Sequence, residues 1–358
     1  MFEEMPMSEH RTRDYAMIST FPPTQCGIAT FAAALSGGLY ELGDDVGIVR
    51  VGGEHDPASE IVVAELTGLR GEMTLAARNE LNRADVVIVQ HEYGIYEGRD
   101  GEDIVGVLEA VVRAADAVVV MTEAGRQRLC NSFDVDKRKI SVIPHGAAVS
   151  DAVRLEASNA QPRLLTWGLL GPGKGIEWAI DALAQLRDLK PRVKYVVAGN
   201  THPKVFEYEG DVYRNMLIQR AKNRKVDVEF DPEYRSLPSL ARLISEASIV
   251  ILPYDSPDQV TSGVLVDAIA AGRPVIATAF PHAVELLSTG AGIVVPRQDP
   301  TALADAIRTV LTTPGLVQMM AAEARRLAPE LAWPHIASRY ALLGEELLDK
   351  RAPVSAAR

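Results

Sequence analysis

Three short stretches of this chain combine glycine, hydroxyl and lysine side chains in ways suited to holding phosphate. In Trp167-Gly168-Leu169-Leu170-Gly171-Pro172-Gly173-Lys174-Gly175 the glycines, Gly168 and Gly173 among them, free the backbone, and Lys174 adds a compact point charge. No Ser or Thr follows the lysine, so this is not a P-loop. In Gln259-Val260-Thr261-Ser262-Gly263-Val264 hydroxyls and amides stand just ahead of a helical pattern closed by Gly272, and a helix start favours an anion. Asp267 lies one turn inward, at a spacing that can bring its carboxylate near a ribose. The third stretch, Phe21-Pro22-Pro23-Thr24-Gln25-Cys26-Gly27-Ile28-Ala29, joins the first strand to a helix of small residues. Each also fits a plainer duty: a solvated lysine, a helix cap at Thr261 or Ser262, and an ordinary turn at Gly27.

Other polar residues sit at strand ends. His91, in Val89-Gln90-His91-Glu92-Tyr93-Gly94, is a candidate catalytic histidine, with Glu92 as proton acceptor, or else makes a structural hydrogen bond. Asn200 and His202, in Gly199-Asn200-Thr201-His202-Pro203, follow a strand of the second half and are candidate substrate-binding residues, with a structural hydrogen bond as the other reading of His202. Lys204, Arg214, Arg220, Lys222, Arg224 and Lys225 make the next segment basic, either a solvated helix face or a contact for an anionic acceptor or membrane surface. Asp255 and Asp258 share a loop without further ligands, so no metal is expected.

The elements that position these residues read as buried strands alternating with helices. Short apolar runs are expected as strands at Tyr15 to Ser19, Val46 to Val51, Val86 to Gln90, Ala117 to Met121 and Ile140 to Ile143. In the second half they fall at Arg163 to Trp167, Lys194 to Ala198, Asp227 to Phe230, Ile249 to Pro253, Val275 to Thr278 and Gly292 to Val295. Helical stretches between them complete βαβ crossovers, so an α/β class with doubly wound sheets is expected. Ala148 to Pro162 loses the strand pattern and reads as a linker between a domain over 1–150 and another over 163–330. After a helix near Thr301 to Leu311, a last helix is expected over 334–350, with Pro334 in its first turn.

Composition narrows the function. The 358 residues exceed one ordinary core, and 47% hydrophobic with 24% charged residues is globular. A formal net charge of -11 excludes a broad nucleic-acid footprint, so any phosphate must be held locally. Only Cys26 and Cys130 are present, which fits a reducing compartment, and no signal-like or membrane-spanning run is found. A cytoplasmic protein is expected, with peripheral membrane contact left open.

Taken together, these stretches resemble glycosyltransferase family 4, the retaining nucleotide-sugar transferases of GT-B fold. Gln25-Cys26-Gly27-Ile28-Ala29 is similar to the family's glycine loop, and Ile143-Pro144-His145-Gly146 to its motif before the linker. Gly168 to Gly175 resembles the G-x-x-x-x-x-K-G donor loop, and Gln259 to Asp267 falls on the E-x7-E segment. The resemblance implies two Rossmann-like doubly wound domains facing across a cleft, with the last helix returning to the N-terminal domain. It implies a nucleotide-sugar donor, GDP-mannose or UDP-glucose, as substrate, a carbohydrate or glycolipid acceptor, and no cofactor or metal. Lys174 would neutralise the diphosphate leaving group; Thr261, Ser262, Gly263 and Val264 would hold phosphate or sugar; Asp267 would take the ribose hydroxyls. The chain departs from the pattern at Leu169, where an arginine is usual, at Gln259 and Asp267, which replace the two glutamates, and at Cys26, which replaces a glycine. Near Leu108 and Glu109 about one βα unit, carrying a catalytic histidine, is expected to be missing, leaving strand edges unpaired. Two other functions stay in view: a nucleotide-sugar-binding or partner protein without turnover, and an epimerase acting on the nucleotide sugar.

Overall fold

Along β1 (Asp14–Ser19) the side chains alternate between two buried faces: Tyr15 and Met17 enter one core, Ala16 and Ile18 another. That period of two, apolar on both sides, is what a parallel strand covered by helices requires. The computed structural model describes residues 12–24, 26–51, 59–66, 75–90, 117–132, 136–149, 161–233, 235–256 and 259–351. It divides into two units, Met1–Gly146 with Trp333–Arg358, and Ala147–Ala332.

In the first unit β1 is followed by α1 (Gly27–Glu41), β2 (Asp45–Val51), β3 (Val62–Leu66), α2 (Leu75–Arg83), β4 (Val86–Gln90), β5 (Ala117–Val120), α3 (Glu123–Ser132) and β6 (Ile140–Val142). All pairings are parallel, in the order β3-β2-β1-β4-β5-β6. Phe31, Leu35 and Leu39 of α1 pack on one face of the sheet, and Ala77, Leu81 and Leu129 of α2 and α3 on the other.

The second unit runs β7 (Arg163–Trp167), α4 (Ile176–Leu183), β8 (Lys194–Ala198), α5 (Pro203–Glu209), α6 (Val212–Arg224), β9 (Val228–Asp231), α7 (Leu237–Ser245) and β10 (Ile249–Leu252). It continues with α8 (Gly263–Ala270), β11 (Val275–Thr278), α9 (Pro281–Leu286), β12 (Gly292–Val295), α10 (Pro300–Thr312) and α11 (Leu316–Leu331). Its sheet is parallel in the order β12-β11-β10-β7-β8-β9. Counted from its own first strand, each unit therefore has the doubly wound order 3-2-1-4-5-6.

The last helix, α12 (Trp333–Arg351), belongs to the first unit. Ile336, Ala337 and Tyr340 complete the core over α1. Close approach is made possible by two glycines: a Cβ on Gly38 would lie 2.8 Å from the Ala337 Cβ, and one on Gly344 2.1 Å from the Tyr15 hydroxyl. Arg13, buried beside Asp44, donates through Nη1 to the Ala341 carbonyl and to Glu345, which clips α12 to the start of β1.

Some expectations need correction. Val62–Leu66 is a sixth N-terminal strand, unanticipated because it is a short edge strand whose exposed Val63 breaks the buried-run pattern. Leu316–Leu331 is a further helix, with Pro329 inside its last turn, where the ring costs one backbone hydrogen bond. β9 starts one residue later than expected, at Val228. The unpaired edges expected beside Leu108 and Glu109 are not present: β4 and β5 pair directly, Ile88 with Ala117 through Gln90 with Val119. The sheet closes there, and residues 91–116, including His91, Leu108 and Glu109, lie outside the described residues. So does most of the expected linker, residues 150–160. No helix among the described residues is long and apolar enough to cross a membrane.

Candidate functional site

Strand order in the second unit reverses between β7 and β10, and in such sheets ligands bind outside the carboxyl ends of the strands at that point. The segments leaving β7, β8 and β10 carry Gly168 to Gly175, Gly199 to His202 and Pro253 to Ser262. The fold thus gathers Gly168, Gly173, Lys174, Asn200 and His202 with Gln259, Thr261, Ser262, Gly263, Val264 and Asp267 at one end of one sheet. Gly27 lies at the start of α1 in the other unit, and His91 is outside the described residues.

The β7 loop is locked by its neighbours. The Leu170 amide donates to the Asn200 carbonyl and the His202 amide to the Leu170 carbonyl, each at 2.8 Å. The Gly173 carbonyl accepts from the amides of Asp255 at 3.1 Å and Ser256 at 3.3 Å. Trp178 Nε1 donates to Asp255 Oδ2 at 2.8 Å, tying the start of α4 to the same loop. Glycine is demanded where backbones meet: Gly175 has φ 64° and a Cβ there would lie 1.9 Å from the Pro253 carbonyl oxygen. Gly199 has φ 126°, with Gly168 O 2.1 Å from where its Cβ would stand.

Lys174 is held by a ring rather than by an acid. Its Nζ lies 4.6 Å from the centroid of Tyr254, which is buried against Phe280 with ring centroids 5.2 Å apart. A cation on an aromatic face keeps its N–H donors for a further partner. The Tyr254 hydroxyl stands 3.5 Å from that of Ser262, and Thr278 donates its hydroxyl to the Tyr254 carbonyl.

Ser262 is itself occupied. Its hydroxyl caps α8 by accepting from the Leu265 amide at 3.2 Å, and its own amide donates to His282 Nδ1 at 3.2 Å. An Nδ1 that accepts carries no proton, so His282 uses its neutral Nε2–H tautomer. The cap assigned to Ser262 as its plainer duty is the geometry found. The amides of Gly263 and Val264, in the first turn after that cap, have no partner within the helix and point out of its N-terminus. Gln259 donates its side-chain amide to the Thr261 carbonyl, which fixes the approach to the helix.

Burial pushes the Asp267 carboxyl up to about 7, with no cation or hydrogen bond opposing it. Such a carboxyl gains from hydroxyl donors that let it ionise. The arrangement therefore offers a lysine, two free helix amides and a carboxyl short of donors, which together match a diphosphate joined to a sugar. No group of three or more His, Cys, Asp or Glu among the described residues is placed to hold a metal ion.

Two residues that build the site escaped sequence reasoning. Tyr254 lies two residues past β10 and His282 in the first turn of α9, and their partners Lys174 and Ser262 are distant in sequence or on another element.

Residues 161–313 match the family model for glycosyl transferases group 1. The chain is 28% identical over 251 residues to a D-inositol 3-phosphate glycosyltransferase of Nocardioides, covering 64% of this chain and 53% of the relative. It is 30% identical over 136 residues to a GDP-mannose:glycolipid 4-beta-D-mannosyltransferase of Xanthomonas campestris, covering 38% and 36%. The chain spans about half the length of the first curated relatives it matches. Among solved structures, a glycosyltransferase from Rickettsia africae aligns with a TM-score of 0.71 at 15% identity, over 95% of this chain and 99% of the other. Anabaena HepE in complex with UDP-glucose aligns with a TM-score of 0.70 at 16% identity, over 93% and 100%. These likenesses show the fold, GT-B, with two Rossmann-like units.

Proposed function

We propose that this chain, whose residues 161–313 match the family model for glycosyl transferases group 1, is a retaining, metal-independent transferase that moves a hexose from a nucleoside diphosphate sugar to an acceptor hydroxyl. GDP-mannose and UDP-glucose are the donors to test, and a carbohydrate or glycolipid the acceptor. The observation that carries this reading is the free cation of Lys174, braced on Tyr254, at the same sheet end as the unpaired amides of Gly263 and Val264.

In the proposed mechanism negative charge builds on the leaving diphosphate as the glycosidic bond opens. Lys174 and the helix amides are preorganised to receive that charge, which lowers the barrier without reorganisation at the moment of reaction. Asp267 accepts the ribose hydroxyls, and Gln259 offers an amide to the donor sugar. Ser262 and His282 act by holding the helix start in place.

A second reading, a binding protein of the same fold without turnover, draws on Leu169 and Gln259, where the resembling family carries an arginine and a glutamate. The test is release of nucleotide from UDP-glucose or GDP-mannose with a pool of glycolipid and carbohydrate acceptors. Acceptor-dependent release supports transfer. A melting temperature raised by donor, with no release in any pool, supports binding alone.

A further inference from the structure

We propose that the N-terminal unit carries an oxyanion subsite of its own, built by Arg50 and Ser19 at the carboxyl ends of β2 and β1, for a phosphate or carboxylate group of the acceptor. Only the word acceptor rests on the transferase reading; the anion site stands on the residues themselves.

Arg50 is 1% exposed, and its Nη2 donates to Glu65. Among the described residues its Nε and Nη1 have no hydrogen-bond partner, nor does the hydroxyl of Ser19, which is 0% exposed. Strand register sets the three in one row, Ser19 beside Arg50 and Arg50 beside Glu65. Two residues back along the strands, Met17 and Ile48 enter the core beneath α1, so Ser19 and Arg50 point to that same face. The β1–α1 connection, which leaves the carboxyl end of β1, holds a second buried hydroxyl without a partner, Thr24 Oγ1. At the start of α1 no acid stands in the first turn, and a Cβ on Gly27 would meet nothing within 4 Å. The Glu65 side chain, 27% exposed, opens the row toward the surface at β3.

Buried polar groups in folded chains are normally satisfied, and this unit shows it can satisfy one. Arg13, equally buried at 3%, uses all three nitrogens on Asp44, Glu345 and the Ala341 carbonyl. Arg50 uses one. Arg273 of the second unit also has unpartnered nitrogens, but it precedes β11, at the end of its sheet away from the ligand-binding edge, and donates to the Ala247 carbonyl. Arg50 differs in lying at the carboxyl end, where doubly wound sheets take ligands, with the positive end of a helix dipole on its face.

The test is equilibrium dialysis of the full chain with radiolabelled inorganic phosphate, with acetate as competitor. A Lys174→Ala background removes binding at the other unit's loop. Phosphate should still bind in that background, and Arg50→Gln should weaken it at least tenfold. Ser19→Asp places a carboxylate beside the free guanidinium donors, so it should abolish phosphate binding and raise the melting temperature. Ser19→Ala should weaken binding a few-fold without unfolding the chain, which keeps the test decisive if Arg50→Gln does not fold. Competition by acetate assigns a carboxylate ligand, and its failure to compete assigns a phosphate; both support the subsite. Phosphate binding lost entirely in Lys174→Ala, or unchanged within twofold in Arg50→Gln and Ser19→Asp, overturns it. No turnover is needed, so a failed transferase assay and a failed subsite are told apart.

Discussion

The Lys174 ammonium rests 4.6 Å from the centre of the Tyr254 ring, so the lysine is aimed without being neutralised. A carboxylate in that place would hold the charge more tightly and leave it less available to phosphate. Lys174→Ala should therefore weaken binding of UDP-glucose or GDP-mannose by about 1.5–3 kcal/mol, the range of a hydrogen bond to a charged group. Tyr254→Phe keeps the ring and should bind nearly as the parent does. Tyr254→Leu loses the cation–ring contact, about 0.5–1 kcal/mol, along with the packing on Phe280. Calorimetric titration of the three variants checks the order; equal affinities would break the link between Lys174 and donor.

Gly175 and Gly27 make a matched pair for a stability test. Gly175 sits at φ 64° with the Pro253 carbonyl 1.9 Å from a would-be Cβ, so Gly175→Ala forces the β7 and β10 loops apart. A cost of about 3 kcal/mol or more is expected, from backbone strain plus displaced packing. Gly27 heads α1 with open space around it, and Gly27→Ala should be neutral or stabilise by a few tenths of a kcal/mol. Urea unfolding of both variants provides the comparison, and similar losses at the two positions would count against the geometry.

How far the site was legible depended on whether one segment carried the chemistry. Lys174 with its glycines and Thr261 to Val264 are contiguous, so their types and spacing announced a phosphate loop and a helix start. The inner strands of the second unit, β7, β8, β10 and β11, are buried on both faces and read as apolar runs, which made them easy to place. β3 was missed because an edge strand exposes one face, as Val63 does. Tyr254 and His282 were missed because their roles exist only through partners on other segments. Arg50 falls inside the expected strand Val46 to Val51, and only the pairing of β1, β2 and β3 sets it beside Ser19 and Glu65.

Asp267 predicts a pH dependence. Burial raises its carboxyl from 3.8 to about 7, so between those values the folded chain holds a proton that the unfolded chain has released. Its contribution to stability is therefore present in acid and lost as the pH rises from about 4 to about 7. The slope has an upper limit of about 1.4 kcal/mol per pH unit, and the partial exposure of the residue reduces it. Asp267→Asn is neutral throughout and should gain on the parent across this window. Denaturant midpoints at pH 5 and pH 8 measure it, and parallel curves for parent and variant would exclude the effect.

His145 works in the opposite sense within the other unit. Burial pushes it from 6.5 down to about 4, against the bond of Nδ1 to the Gly146 carbonyl at 2.6 Å, and its ring packs 4.9 Å from Phe31 and 5.9 Å from Trp333 by centroids. The unfolded chain takes up a proton below about 6.5 while the folded one stays neutral, so stability is lost as the pH falls from about 6.5 to about 4. His145→Phe keeps an aromatic ring between α1 and α12 and removes the titration, so its melting temperature should rise relative to the parent's as the pH falls from 7.5 to 5. In the parent, Asp267 gains over the same interval by a comparable amount and offsets that loss. A nearly flat parent profile is therefore expected, with His145→Phe rising and Asp267→Asn falling as acid is added. If both single variants stay as flat as the parent, neither group titrates as its surroundings require.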